Sequence, residues 1–554
     1  MDGNGNEAPS LNNRILFWAS FFTLIAAGIG FSVRGFILKD WGNQFGFTQA
    51  ELGGITGGGL VGFGVAIIFF SFLADRFGYG KLMLIAFLLH ASSAVVTFAA
   101  TPVYGMYGKE GAFWCLYVGM WLFALGNGTC EAVINPLTAT LFPNNKTHWL
   151  NILHAGWPGG LILGAVIGLV FGQIDTPIRW EIKLGIFLVP VLLYGFLMFN
   201  RPFPRSEASA SGVSTGTMIA SLFAPILIFL FLLHALVGYV ELGTDSWITN
   251  ISSRILKDEN TALMAFVWTN ALMFTLRFFA GPIVHKINPI GLLLVSAILG
   301  TIGLYLLGQA FVDTVPLYIA AVTVYGIGKT FYWPTLLGVI SERFPKAGAL
   351  ALGISGGIGM ISAGLLGGPG IGYKQDYAAV DKLKQLSPET YDRYKSADAN
   401  GFPIVSGFMP DLAPKIAGLD NAKLKVFGDH AGNLAKIKAA VDAKKEPPKD
   451  LKTGLEADIE TMRKELAAGK SVPDELQKSL NGQLEWWEKE GKPNFEKDEK
   501  PLNEARDYGD RKALMWTSYV PAVLAVGFLL LLLYFSSTGG YKQVHLDKSG
   551  NTSH

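Results

Sequence analysis

Four ionisable side chains, Arg34, Glu131, Glu241 and Lys329, sit inside long apolar stretches. An ionised group in the hydrocarbon core of a bilayer is costly, so such a residue faces a cavity or a partner and marks a solute or proton path. Asn127, Glu131 and Asn135 are spaced i, i+4, i+8 and share a helix face. A carboxyl on that polar stripe can take up and release a proton. Tyr325, Lys329 and Tyr332 follow i, i+4, i+7, and an ammonium between two phenol rings suits a sugar or a carboxylate. His234, Gly238, Glu241 and Asp245 also line one face, with Asp245 expected near an outer mouth. Two charge pairs of swapped polarity are therefore expected to gate a central site: Arg34 with Glu131, and Glu241 with Lys329. Asn151 and His154 share a face beside Trp157, and Trp268 and Asn270 could stack on and hydrogen-bond a solute. The two buried carboxyls, Glu131 and Glu241, are the candidates for proton coupling. The candidates for substrate binding are Arg34, Asn127, Asn135, Asn151, His154, Trp157, Trp268, Asn270, Tyr325, Lys329 and Tyr332.

These residues need membrane helices to hold them. The chain has 554 residues, of which 50% are hydrophobic and only 16% charged, whereas soluble proteins carry roughly a quarter. Runs of roughly 20 mostly apolar residues occur near 14–36, 51–74, 81–100, 113–141, 148–172, 182–200, 217–245, 261–284, 289–309, 314–340, 347–372 and 513–536. That makes about twelve spans. Met1 to Asn13 is polar and the first apolar run reaches full membrane length, so a first span rather than a cleaved leader is expected. The 66 glycines suit close helix packing in lipid. Both cysteines, Cys115 and Cys130, fall in one apolar span, so no disulfide framework is expected.

The charge is unevenly placed. Residues 374–512 hold 25 of the 45 Lys and Arg and 26 of the 43 Asp and Glu. They read as a soluble helical insertion between spans 11 and 12. Its apolar stripes are Leu455, Ile459, Met462 and Leu466, then Leu476, Leu480, Leu484 and Trp487. Ser387-Pro388 and Val472-Pro473 read as helix starts and Glu446-Pro447-Pro448 as a break. The expected organisation is a first bundle at 1–200, a linker at 201–216, a second bundle at 217–373, the insertion at 374–512, and span 12 with a tail at 513–554. Loops on the side of the termini hold Arg76, Lys81, Lys146, Arg201, Arg205, Lys286, Arg343 and Lys346. This bias favours cytoplasmic termini, which puts the insertion outside.

The two halves share a pattern. Span 4 reads Gly126-Asn127-Gly128, Pro136, Phe142-Pro143, and span 10 reads Gly326-Ile327-Gly328, Pro334, Phe344-Pro345. Repeats around a midplane site are a common transporter plan. The loop after span 2, Ala74-Asp75-Arg76-Phe77-Gly78-Tyr79-Gly80-Lys81, resembles the Asp-Arg-x-Gly motif of the major facilitator superfamily. Glu131, Asn135, Pro136 and Leu150-Asn151 look like that superfamily's fucose–proton symporter branch, where the span 4 Glu takes part in proton coupling; Gly35 takes the place of that branch's span 1 Asp. The resemblance implies an all-α membrane protein of twelve transmembrane helices in two pseudo-symmetric six-helix bundles. It also implies gating by Asp75, Arg76 and Gly78. Asp245 and Arg277 are added to the gating set, with Arg277 placed near the terminus-side end of span 8.

The expected function is a secondary transporter, a proton-coupled symporter of a monosaccharide or polyol, with a carrier of anionic solutes such as sugar acids as the alternative. A transporter-like nutrient sensor is a further alternative, against which the short polar tail argues. Expected partners are a sugar or sugar acid, a proton or sodium ion and the lipid bilayer, with a monomer in a bacterial inner membrane. A net charge of +2 implies no nucleic-acid partner. No phosphate loop, metal cluster or nucleophile motif is legible, so neither an enzyme nor a cofactor is expected.

Overall fold

In hydrocarbon every backbone N–H and C=O must be satisfied within the chain, so apolar runs of this kind span as helices. A computed structural model describes residues 10–547 and 552–553, apart from 46, 48, 173–177, 403–404, 410, 412, 448–461, 464, 468, 470 and 473. Span 1 is Leu11–Phe45, span 2 is Gln49–Gly57 with Gly59–Phe77, and span 3 is Tyr79–Phe98. Span 4 is the later part of Ala100–Leu141, span 5 is Lys146–Gly172, and span 6 is Trp180–Gly185 with Leu188–Met198. Linker helices Glu207–Ala210 and Thr215–Ser221 lead to span 7, Pro225–Leu256. The expected start of span 7 at 217 is thus corrected: those residues form a linker helix, and Pro225 opens the span at a position where its missing N–H costs nothing.

Span 8 is Glu259–Arg277 continued by the first turns of Ala280–Leu307. The chain reverses at Asn288, with φ 54° and ψ 167°, and Pro289 starts span 9. The Asn288 side chain stabilises this turn by accepting the Gly291 N–H at 2.9 Å. Span 10 is Val315–Lys329 with Tyr332–Arg343, span 11 is Gly348–Ser362 continuing into Gly368–Leu386, and span 12 is Phe495–Thr517 with Tyr519–Ser537. Among the described residues, 9 helices are long and apolar enough to cross a membrane. Spans 4, 8 and 10 fall outside that set, and they carry Glu131, Arg277 and Lys329.

The pseudo-repeat reappears in the packing. A Cβ on Gly28 would stand 2.5 Å from the Trp157 carbonyl, fixing span 1 against span 5. A Cβ on Gly238 would stand 1.9 Å from the Gly359 carbonyl, fixing span 7 against span 11 in the same way. Between the halves, spans 2 and 11 meet at Gly64 and Gly357. Small residues replace the missing hydrophobic drive at each crossing.

Spans 11 and 12 run on past 373 and begin before 513, and they pack together as a stalk where Gly509 meets Gln375 and Ala379. On this stalk the insertion buries its own core, including Leu383, Tyr394, Phe427, Ile437, Met462, Leu480 and Trp487. Leu466 and Leu484 pack on that core. Leu455 and Ile459 of the expected stripes lie outside the described residues, as do Pro448 and Pro473, and nothing is described of the Leu476 side chain. Ser387 caps the helix Pro388–Tyr394. One expectation is corrected: Lys395–Asn400 and Ile416–Leu419 form an antiparallel strand pair, so the insertion is not purely helical. The stretch between these strands contains Gly401, Pro403, Gly407, Pro410 and Pro414, which limit helix there to the single turn Val405–Phe408.

Candidate functional site

Glu131 of span 4, His154 and Trp157 of span 5, Glu241 and Leu242 of span 7, Arg277 of span 8, Trp333 of span 10 and Met360 of span 11 line one cavity between the halves. Its volume is about 20 Å³, room for roughly one water, so the site is closed around its own side chains.

Arg277 is its hub. The reason begins with two prolines. In a helix the carbonyl of residue i bonds the N–H of i+4, and a proline at i+4 has none. Pro158 therefore orphans the His154 carbonyl, and Pro334 orphans that of Thr330. Arg277 Nη1 donates to the first at 2.6 Å and Nε to the second at 2.8 Å. Nη2 donates to Glu241 Oε1 at 3.2 Å. One guanidinium thus ties spans 5, 7, 8 and 10 across the two halves. On the other wall, Glu131 Oε2 accepts from Asn135 Nδ2 at 2.5 Å. Asn135 Oδ1 lies 2.8 Å from His154 Nε2, and because an amide oxygen only accepts, that ring nitrogen carries the proton. Glu241 Oε2 is buried with no partner among the described residues.

Arg277 is the largest departure from expectation. Span 8 continues to Ile287 rather than ending at 284, so Arg277 lies roughly 15 Å from the turn at 1.5 Å per residue, a depth comparable to that of Glu131. The expected pairs also differ. Glu241 pairs with Arg277, and Lys329 pairs with Asp245. Asp245 is half-buried and is occupied by Lys329. The Lys329 ammonium lies over the Tyr325 ring, 5.5 Å from its centroid, but the face does not extend to Tyr332, because the helix breaks between Lys329 and Tyr332. Tyr325 donates to the Val240 carbonyl and Tyr332 to the Ser296 carbonyl, both at 3.0 Å.

Arg34 points into the first bundle, away from Glu131. Its Nη1 donates to the Gly30 carbonyl at 3.1 Å and Nη2 to Ser93 at 3.2 Å, with Phe123 stacked 3.7 Å away. The Asn127 side chain turns to His90, 3.0 Å away, which also meets Tyr194. Trp268 is 44% exposed on the outer face of span 8 and bonds Thr323. Asn270 is buried and donates to the Phe266 carbonyl. None of these side chains lines the cavity. Asn151 bridges the halves below it, donating to Thr335 at 3.0 Å.

The side carrying the termini is latched. Glu342 Oε1 accepts from the Thr147 amide at 3.1 Å and its hydroxyl at 2.6 Å, while Oε2 accepts from Tyr541 at 2.7 Å. Lys146 reaches Glu207 at 2.5 Å and the Ser341 carbonyl at 3.2 Å. His148 Nδ1 accepts the Gly281 N–H at 3.0 Å. Asp75 accepts from Ser206 and Ser209 of the linker. Gly78 makes the tight turn after it, with φ 84°, while Arg76 is exposed. Sequence reasoning missed Trp333, Met360, Thr147 and Glu342. The prolines at 158 and 334 were the signal for the Arg277 hub, but Thr147 and Glu342 read as ordinary helix-end residues.

The chain belongs to the Major Facilitator Superfamily, whose sequence model matches residues 20–368. It is 24% identical over 278 residues to the cis,cis-muconate transport protein of Acinetobacter baylyi, covering 47% of this chain and 64% of that one, so the match spans less than two thirds of that relative's length. Among solved structures, the E. coli fucose:proton symporter is 16% identical with a TM-score of 0.54 over 66% of this chain and 93% of that one. A proton:xylose symporter is 16% identical with a TM-score of 0.54, over 64% of this chain and 87% of that one. The human organic anion transporter is 14% identical with a TM-score of 0.52, over 64% and 92%. The structural likenesses show the fold alone; membership of the superfamily is what makes the chain an all-α, multi-pass membrane transporter.

Proposed function

We propose that this superfamily member is a proton-coupled carrier of a small carboxylate-bearing solute, moved by alternating access between its halves. The observation that carries the reading is Arg277, a buried guanidinium held at the cavity by two proline-orphaned carbonyls, with its remaining edge on Glu241. When Glu241 takes a proton, Arg277 Nη2 is free to bind a substrate carboxylate in its place. Release of substrate and proton on the other side restores the pair. Around the cavity Glu131, Glu241 and Asp245 face Arg277 and Lys329, so one acid is in excess, which one proton or one cation balances. Glu131, bonded through Asn135 to His154, is the second proton-carrying group. The curated relative is named for muconate transport, which supports an anionic cargo. With cytoplasmic termini in a bacterial inner membrane, the latched state faces outward. A neutral sugar is the second reading, favoured by Trp157 and Trp333 flanking the cavity as stacking surfaces.

The test is uptake into proteoliposomes under an imposed pH gradient, comparing labelled cis,cis-muconate, a sugar acid and neutral hexoses. Gradient-dependent accumulation of the acids, abolished in Arg277→Gln, is the expected result. Accumulation of a neutral sugar with the acids excluded would replace this reading with the second.

A further inference from the structure

A second site lies away from the transport path. At the terminus-side end of span 3 a pocket of about 620 Å³ is lined by Arg76, Lys81, Arg201 and Arg205, with Asp75 its one acid. Asp75 is already occupied by Ser206 and Ser209. The four cations are exposed and make no ion pair or side-chain hydrogen bond with the described residues. The pocket also opens on the first turn of span 3, whose free N–H groups favour an anion.

This pocket continues into an apolar groove. The groove has a volume of about 570 Å³ and runs between spans 3 and 6. Gly80, Arg201 and Phe203 line both spaces. Gly195 sets the groove's depth, because a Cβ there would strike Phe87 at 2.6 Å. Its rims, Leu84, Leu192, Phe196 and Phe199, are 56%, 59%, 78% and 78% exposed, which places them against acyl chains in a membrane. A cationic pocket at the interface joined to a groove open to hydrocarbon matches a molecule with an anionic head and an apolar tail. We propose that this is a binding site for an anionic phospholipid, its phosphate held by Arg76, Lys81, Arg201 and Arg205 and one acyl chain in the groove between spans 3 and 6. The lipid joins the loop after span 2 to the linker, the two segments that already meet through Asp75. It does not depend on which solute the central cavity carries.

Native mass spectrometry of the full chain tests this, with phosphatidylglycerol and phosphatidylcholine added separately to the detergent-solubilised protein and inorganic phosphate as a third probe. Retention of phosphatidylglycerol over phosphatidylcholine is expected. Losing two basic groups near a surface, in R201Q/R205Q, is expected to weaken that retention about thirty-fold. L84W fills the groove and should displace the lipid without changing the melting temperature. Equal retention of both lipids overturns the proposal, as does R201Q/R205Q behaving like wild type. Phosphate binding that survives L84W, with no lipid preference, would mean a free-anion site instead.

Discussion

Arg277 shows how much a single buried charge can organise. A guanidinium offers five donors in a fixed fork, and three of its nitrogens are committed to two carbonyls and a carboxylate. Removing one member of a buried ion pair leaves the other charge unpaired, at a cost of about 3–5 kcal/mol. Arg277→Met is therefore expected to lower the melting temperature of the detergent-solubilised protein sharply. Adding Glu241→Gln should recover most of that stability without recovering uptake, because the anchor is still missing. Stability that stayed low in the double variant would place the main role of Arg277 in its two carbonyl bonds. Arg277→Lys should not rescue transport, since an ammonium cannot span the three acceptors with the geometry of a fork.

Helices in this chain are positioned by close backbone approach. Gly238 sits where any side chain would overlap the Gly359 carbonyl, so Gly238→Leu is expected to give no monodisperse protein in size-exclusion chromatography. Gly35 has no atom within 4 Å of where a Cβ would lie, and Gly35→Ala is expected to behave as wild type. The terminus-side latch belongs to this scale too. Glu342 joins span 10 to span 5 through Thr147 and to the tail through Tyr541. Glu342→Gln weakens both bonds, which favours separation of spans 5 and 10. Spin labels at Asn144 and Lys346 should then show a larger population at long distance. An unchanged distance distribution would mean that Lys146 and His148 hold the latch unaided.

For the whole molecule, the stalk anchors the insertion to the second half. Asp510 on the stalk pairs with Arg254 of span 7 and accepts from Gln375 at 3.2 Å, and Arg511 donates to the Gln309 and Val312 carbonyls. The insertion has its own core and its own ion pair, half-buried Arg393 with buried Asp498. Replacing residues 395–490 with a short flexible linker keeps the stalk ties, so uptake is expected to persist at near wild-type rate. Asp510→Ala leaves Arg254 without its carboxylate and is expected to lower stability by roughly 1–3 kcal/mol, read as a fall in melting temperature. Loss of uptake on deletion, with normal expression and melting, would assign the insertion a part in transport.

Hydropathy and composition by themselves determine that the chain is a helical, multi-pass membrane protein with a charged insertion, because an apolar run of membrane length has no other stable state in lipid. Periodicity also brought Glu131, Asn135, His154 and Glu241 forward, since a lone polar group in such a run must face something polar. Partners were another matter. Arg277 was misplaced because the turn at Asn288 depends on a left-handed backbone that hydropathy does not register. Tyr332 left the face of Tyr325 and Lys329 because Pro334 breaks the helix ahead of it. Arg34 turned inward because Ser93 and Phe123, distant in sequence, offered it a neutral pocket. Which charge meets which is decided by helix rotation and packing across the two halves, and only the tertiary structure contains that.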